Sequence, residues 1–379
     1  MGAIFVAVVG IPLEAASELG LSDAESSTWI LIVWGFPGVL SMLFTARYRQ
    51  PLVLTGNIFI LLFVLLLGSE LSWSELVGAT MAAGFVVFML GAAGVTHRLA
   101  AALPPPIVYG LLAGAVLGLF ADSVTSIGTA TLLVGSTFAS YFLGRAVLGD
   151  RIPALLVALA VGLVVAVLAS ETGRMPDFAW PQVTLTVPSF TFEALVTVTP
   201  VLVVFIALQA NAPSVVFLRS QGYEAPERAV SLVSGAATMV GSLFGPMGVS
   251  LSLPATALAA GPDAGDRDMR RVAANIAAGI SILVASAAGF ATDLIEFIPG
   301  ALLDAIVGLA VLGVLAQSLR EVTRGPLLLG PVVAFGTSVS NIVLLGLGRF
   351  FWAIVFGLGV SLLLERDAWG KLVATQMST

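Results

Sequence analysis

PLVLTGNIFI at residues 51–60 and PMGVSLSLPA at residues 246–255 decide how this chain folds. Each lies in an apolar stretch rich in Gly, Ser, Thr and Pro, a poor candidate for a continuous membrane helix, which needs ~20 predominantly apolar residues. Both read as broken segments, and irregular backbone is tolerated at membrane depth only where protein or a water-filled cavity surrounds it. A shift of 195 residues lays Pro51 on Pro246, Thr55 on Ser250 and Asn57 on Ser252. The same shift aligns residues 79–120 with 274–315 without a gap, with thirteen of the forty-two positions identical, and AVLG at 115–118 recurs at 310–313. Pro104 meets Pro299 and Gly94 meets Gly289, so the match reflects duplication rather than composition. At a shift of 201, Pro12 meets Pro213.

The rest of the chain supplies the frame for these segments. Its 379 residues are 58% hydrophobic and 10% charged, with a mean hydropathy of +1.06, whereas soluble domains carry about 25% charge. Allowing about 27 residues for a span with its loop, the length accommodates fourteen crossings. Apolar runs fall near 2–19, 27–45, 52–68, 76–95, 104–121, 124–147, 152–169, 194–215, 229–243, 244–260, 271–292, 299–318, 326–346 and 350–364. The first has no basic start and carries Glu14 and Glu18, so it reads as a helix rather than a signal peptide. The expected fold class is an all-α polytopic membrane protein of fourteen transmembrane segments. Spans one to seven repeat as eight to fourteen. Because seven is odd, the copies are inverted, the architecture of secondary transporters that bind solute near the midplane at discontinuous helices.

Charge orients the spans, since Lys and Arg collect in cytoplasmic loops. With both termini inside, the inner loops hold Arg47, Arg49, Arg98, Arg145, Arg151, Arg219, Arg228, Arg267, Arg270, Arg271, Arg320, Arg324, Arg366 and Lys371. Only Arg174 and Arg349 fall outside. This predicts a multi-pass protein of the cytoplasmic (inner) membrane. The net charge of −6 gives no support for nucleic-acid binding, and the absence of cysteine excludes disulfides and thiolate metal sites. No Ser/His pair, metal-ligand cluster or phosphate loop is present, so neither an enzyme nor a cofactor or metal is expected. His97, the sole histidine, reads as a surface residue of an inner loop.

A helix that restarts at the midplane presents backbone N–H groups and a positive dipole end, which attract an anion. Two inverted copies set two such ends face to face. The residues there are Thr55, Gly56, Asn57 and Ile58 in span three and Gly248, Val249, Ser250 and Leu251 in span ten, with Phe59 and Met247 as apolar contacts for a ring. Small polar residues also serve close helix packing in membranes, and that reading stands beside the first. In span eight, Gln209 and Asn211 precede Pro213, whose missing N–H frees a carbonyl. Their amides either donate to a substrate or satisfy that carbonyl. Asn341, with Ser338 and Ser340, belongs to span thirteen.

Several strings resemble a known family. SSTW at 26–29, RYRQPLVLTG at 47–56, ELVGA at 75–79, NAPSVVFLRSQGY at 211–223 and LFGPMGVSLSLPATALAAG at 243–261 are similar to the benzoate/proton symporter (BenE-type) family, over nearly the whole chain. The resemblance implies proton-coupled uptake of an aromatic carboxylate and kinship with the uracil/proton and sulfate permeases. It further implies a core domain of spans 1–4 and 8–11 (residues 1–95 and 194–292), a gate domain of spans 5–7 and 12–14 (104–170 and 299–365), and a homodimer formed through the gate domain. Glu14, two residues after Pro12, is the candidate proton-coupling group, because its protonation beside a bound anion would make a nearly neutral package; an interfacial carboxylate is the other reading. Where the uracil permeases carry carboxylates in spans eight and ten, this chain has Gln209 and Ser250. A passive anion channel or uniporter on the same fold is the alternative function.

Overall fold

Ser22 starts the first long helix with a reciprocal cap: its hydroxyl accepts from the Glu25 N–H while the Glu25 carboxylate accepts from the Ser22 N–H. Ser72 and Glu75 repeat that device at the head of the helix after the first broken segment. The computed structural model describes residues 12, 15, 16, 19–68, 70–96, 103–149, 152–173, 180–290, 293 and 297–377. Glu14, Glu18 and His97 lie outside them.

In chain order the elements are α1 (Asp23–Tyr48), β1 (Leu54–Gly56), α2 (Ile58–Leu67), α3 (Trp73–Ala93), α4 (Pro105–Thr129), α5 (Thr131–Leu148), α6 (Ala154–Leu168), α7 (Phe192–Ser220), α8 (Glu227–Ser242), β2 (Val249–Leu251), α9 (Leu253–Ala260), α10 (Arg267–Ser286), α11 (Gly300–Arg324), α12 (Leu329–Val339), α13 (Arg349–Leu364) and α14 (Arg366–Met377). Spans three and ten are broken, each a three-residue strand followed by a short helix. Span five runs further than its hydropathy suggests. Asp122 interrupts the apolar run but not the helix: α4 continues to Thr129, with the Thr125 and Ser126 hydroxyls donating back to the Asp122 carbonyl.

Contacts between loops show how the spans alternate. At one end Gln50 donates to the Glu224 carbonyl, Arg228 to that of Ala92 and Arg267 to that of Gly222. At the other, the stretch 180–190 passes over the ends of three spans: Thr184 N–H donates to Thr28, Thr186 N–H to the Leu243 carbonyl and Ser189 N–H to that of Ser74. The connections after spans two, four, eight and ten thus share one end and those after spans one, three, seven and nine the other, the alternation that successive crossings require.

The helix pairs obey the repeat. Spans four and nine, α3 and α8, pack along their length, as do their repeat mates α10 and α1. Gly84 and Gly235 make the first contact possible, since a Cβ on Gly235 would sit 2.4 Å from the Phe88 nitrogen. Small residues let backbones approach in membranes, where hydrophobicity itself gives helices no reason to associate. A second assembly joins α4 to α11 and α12, α12 to α13 and α5 to α6. The main apolar core surrounds α2 and α7, and a smaller one lies among α5, α6 and α11. Leu132, Val147, Leu168 and Leu364 remain exposed on the periphery, as lipid-facing positions do.

Candidate substrate-binding site

The two broken segments meet as a two-stranded antiparallel ribbon. Thr55 lies opposite Ser250, Leu54 opposite Leu251 and Gly56 opposite Val249. Beyond the strands the ladder continues symmetrically, with Asn57 N–H donating to the Gly248 carbonyl at 2.8 Å and Ser252 N–H to that of Val53 at 3.0 Å. These two bonds are repeat images of one another. So are the groups that satisfy the ribbon's edges: Leu54 N–H donates to Ser41 Oγ of α1 at 2.7 Å, and its mate Val249 N–H to Thr238 Oγ1 of α8 at 2.9 Å. A buried strand edge demands such partners, since an orphaned N–H inside the membrane is costly.

Each strand turns directly into a half-helix that leaves in the opposite direction. Asn57 caps α2 by accepting from Phe59 N–H, and its amide donates to Ser250 Oγ at 3.1 Å and to the Phe205 carbonyl at 3.2 Å. Ser252 caps α9 by accepting from Ala255 N–H. Asn211 braces the other strand, accepting from Leu251 N–H at 2.8 Å and donating to Ser234 Oγ at 3.1 Å. It reaches that position because α7 widens into a π-helix over Phe205–Asn211, immediately ahead of Pro213. Single-turn π distortions are frequent at functional sites.

The sequence-predicted residues therefore fall into two groups. Gly56, Asn57, Phe59, Asn211, Met247, Gly248, Val249, Ser250 and Leu251 are buried. Thr55, Ile58 and Gln209 retain partial exposure. The Asn57 and Asn211 side chains are occupied by ribbon and capping bonds, whereas the Gln209 Oε1 is buried with no hydrogen-bond partner among the described residues. The Phe59 ring packs on Phe205, 5.8 Å between centroids. Met247 fills the space above Gly241.

Other supports escape a motif-level reading. Trp29 donates to the Pro246 carbonyl at 2.9 Å and stacks edge-on against Trp73. Gly245, at φ +141°, leaves no room for a Cβ beside Trp29, which explains a glycine at the opening of span ten. Ser41 and Thr238 carried no signal beyond small polar residues facing a broken segment.

A family model described as benzoate membrane transport protein matches residues 3–363. The chain belongs to that family. It is 28% identical over 351 residues to the inner membrane protein YdcO of Escherichia coli, covering 91% of this chain and 88% of the relative. It is 25% identical over 357 residues to the benzoate membrane transport protein of Acinetobacter baylyi, with the same coverage. Among solved structures, the transmembrane domain of the cyanobacterial bicarbonate transporter BicA matches with a TM-score of 0.54 at 16% identity, covering 96% of this chain and 95% of that one. The murine anion transporter Slc26a9, solved inward-facing, matches with a TM-score of 0.61 at 14% identity, covering 96% and 68%. The protein is a multi-pass membrane transporter and not an enzyme, with the seven-plus-seven core-and-gate fold of these anion transporters.

Proposed function

We propose that this transporter carries benzoate or a similar aromatic or small carboxylate in symport with protons, by moving a core domain against a gate domain. The core comprises residues 1–95 and 194–292 and the gate 104–170 and 299–365, with both termini cytoplasmic, residence in the inner membrane and a homodimer formed through the gate. The observation that carries the reading is the ribbon, which sets the starts of two half-helices at one crossing, with a partly exposed hydroxyl, Thr55, on it and the partly exposed Gln209, whose amide NH2 can donate to a carboxylate, on the π-helical turn packed against it. Helix starts favour an anion and the aromatic pair Phe59–Phe205 favours a ring. Thr55, Ile58 and Gln209 are the contacts within reach of a solute, while Gly56, Asn57, Phe59, Asn211 and the stretch Met247 to Leu251 shape the pocket behind them. Glu14 is the proposed proton-coupling group.

Uptake into proteoliposomes tests this. An inward proton gradient should drive labelled benzoate above equilibrium, and Glu14→Gln should abolish accumulation while sparing exchange. Accumulation that survives Glu14→Gln removes Glu14 from the coupling role. A passive anion channel or uniporter is the second reading, favoured by the absence of a titratable side chain among the described ribbon residues. It predicts equilibration without accumulation under any proton gradient.

A further inference from the structure

The loop after α2 and the first residue of α13 come together at the end of the bundle where loops following odd spans collect, the end assigned to the outside by charge. Glu70, in the core half, sits with its Oε1 3.3 Å from Arg349 Nε in the gate half. Both side chains are largely covered, 28% and 22% exposed. Arg349 is held in place from two further sides: its Nη1 donates to Asn341 Oδ1 at 3.2 Å, and its guanidinium lies 4.7 Å over the Phe350 ring. Gly348 backs the carboxylate so closely that a Cβ there would stand 2.8 Å from Glu70 Oε2. The pair lines a cavity of about 290 Å³ whose wall also includes Glu193 of α7.

This pair is connected to the proposed site. Phe350, beneath Arg349, packs on Phe63 at 5.3 Å; Phe63 packs on Phe205 at 6.1 Å, and Phe205 on Phe59 at 5.8 Å. One line of rings thus runs from the ribbon's end in the core half to the gate half directly under the ion pair.

We propose that Glu70 and Arg349 form a charged latch that fastens core to gate at the outer end, and that neutralising Glu70 releases it. The charged groups facing Glu70 are Arg349 from α13 and Glu193 from α7; Asn341, from the loop before α13, is neutral. Burial pushes the Glu70 carboxyl above its ordinary range, Arg349 opposes this and Glu193 adds to it. A proton from the outer medium therefore reaches Glu70 at a milder acidity than an ordinary carboxylate needs. The proposal rests on the core-against-gate reading for its direction of motion, but neither the solute nor Glu14 enters it.

The chain has no cysteine, so single thiols report opening. A cysteine replacing buried Phe63 or, in a second background, buried Leu67 is labelled from outside in proteoliposomes without solute, with rates normalised to a cysteine at exposed Leu345. At neutral pH, Glu70→Gln and Arg349→Gln should each label about fivefold faster. The exchanged pair Glu70→Arg with Arg349→Glu should return the rate to the parent's, and Glu193→Gln should leave it unchanged. The parent should accelerate on acidification, and Glu70→Gln should be flat. A pair that merely stabilises the fold would lower the melting temperature in both single variants with labelling unchanged, and that result overturns the latch. Equal acceleration by Glu193→Gln, or no recovery in the exchanged pair, overturns it as well. Labelling as expected with no benzoate accumulation leaves the latch standing and removes only the symport reading.

Discussion

Thr55 and Ser250 stand opposite each other across the ribbon, and they are also each other's counterpart in the duplicated sequence, 195 residues apart. A residue that pairs with its own repeat mate marks the axis relating the two halves. The axis of this transporter therefore passes through the middle of the ribbon, and the flanking bonds, Asn57 to Gly248 and Ser252 to Val53, are images across it.

Asn57 holds three partners together at that centre. Asn57→Ala removes the α2 cap and the donor to Ser250 and Phe205, and should destabilise the purified protein by about 1–2 kcal/mol. Ser250→Ala should cost less, because Asn57 keeps its other partner. In thermal unfolding, the double variant should fall short of the sum of the singles by about 0.5–1 kcal/mol. Strict additivity would mean that the 3.1 Å contact contributes nothing.

Gly235 is where α3 and α8 touch backbone to backbone. Its substitution by alanine puts a methyl 2.4 Å from Phe88 N and 2.7 Å from Gly84 O, and neither atom has a rotamer to give way. A loss of about 1–3 kcal/mol is expected, read as a lower melting temperature. Gly118→Ala, with nothing within 4 Å, is the control and should be neutral or slightly stabilising.

Glu365 gathers the Leu328, Leu329 and Gly330 N–H groups at the head of α12, and the Ser361 hydroxyl as well. Burial raises its pKa, but the donated bonds outweigh burial and hold the carboxyl below its ordinary value. A folded-state pKa below the unfolded one gives stability that is present above the unfolded value and lost as pH falls through the folded one. The melting temperature should therefore drop as pH falls below the ordinary carboxylate range. Glu365→Gln should show a lower melting temperature at neutral pH and a smaller acid dependence, which thermal unfolding across a pH series measures.

Gln209 and Asn211 look interchangeable in sequence and are not in space. If the Gln209 amide NH2 donates to the solute carboxylate, Gln209→Leu should raise the half-saturation concentration about tenfold while leaving the melting temperature unchanged. Asn211→Leu should lower stability, because Leu251 N–H loses its acceptor. Equal loss of stability in both variants would assign Gln209 a purely structural role.

These contrasts show what the residues reveal unaided. The repeat made the broken segments and the pairing of Thr55 with Ser250 legible, because duplication leaves a fixed spacing. Inversion followed from an odd number of spans. The direction of individual side chains did not follow, because Asn57 and Asn211 turn toward backbone N–H and C=O groups supplied by segments more than 35 residues away. The π-helical widening of α7 has no signature beyond Pro213, and the run to Thr129 in α4 was hidden by a single acid. Glu70, in a loop, and Arg349, at the head of α13, are ordinary surface charges in sequence until the fold brings them together.

The stretch 180–190 joins the two repeats, yet it is fastened to α1, to the start of α3 and to the corner between α8 and β2. Its bonds to Thr28, Ser74 and Leu243 all fall in the proposed core, so it splints that half. In the proposed core-against-gate motion the slack has to come from elsewhere in the chain, and the repeat counterparts Pro104 and Pro299 stand at the heads of α4 and α11. A fluorophore set on the splint would serve as a reference point in the proposed core against which the proposed swing of α13 could be measured.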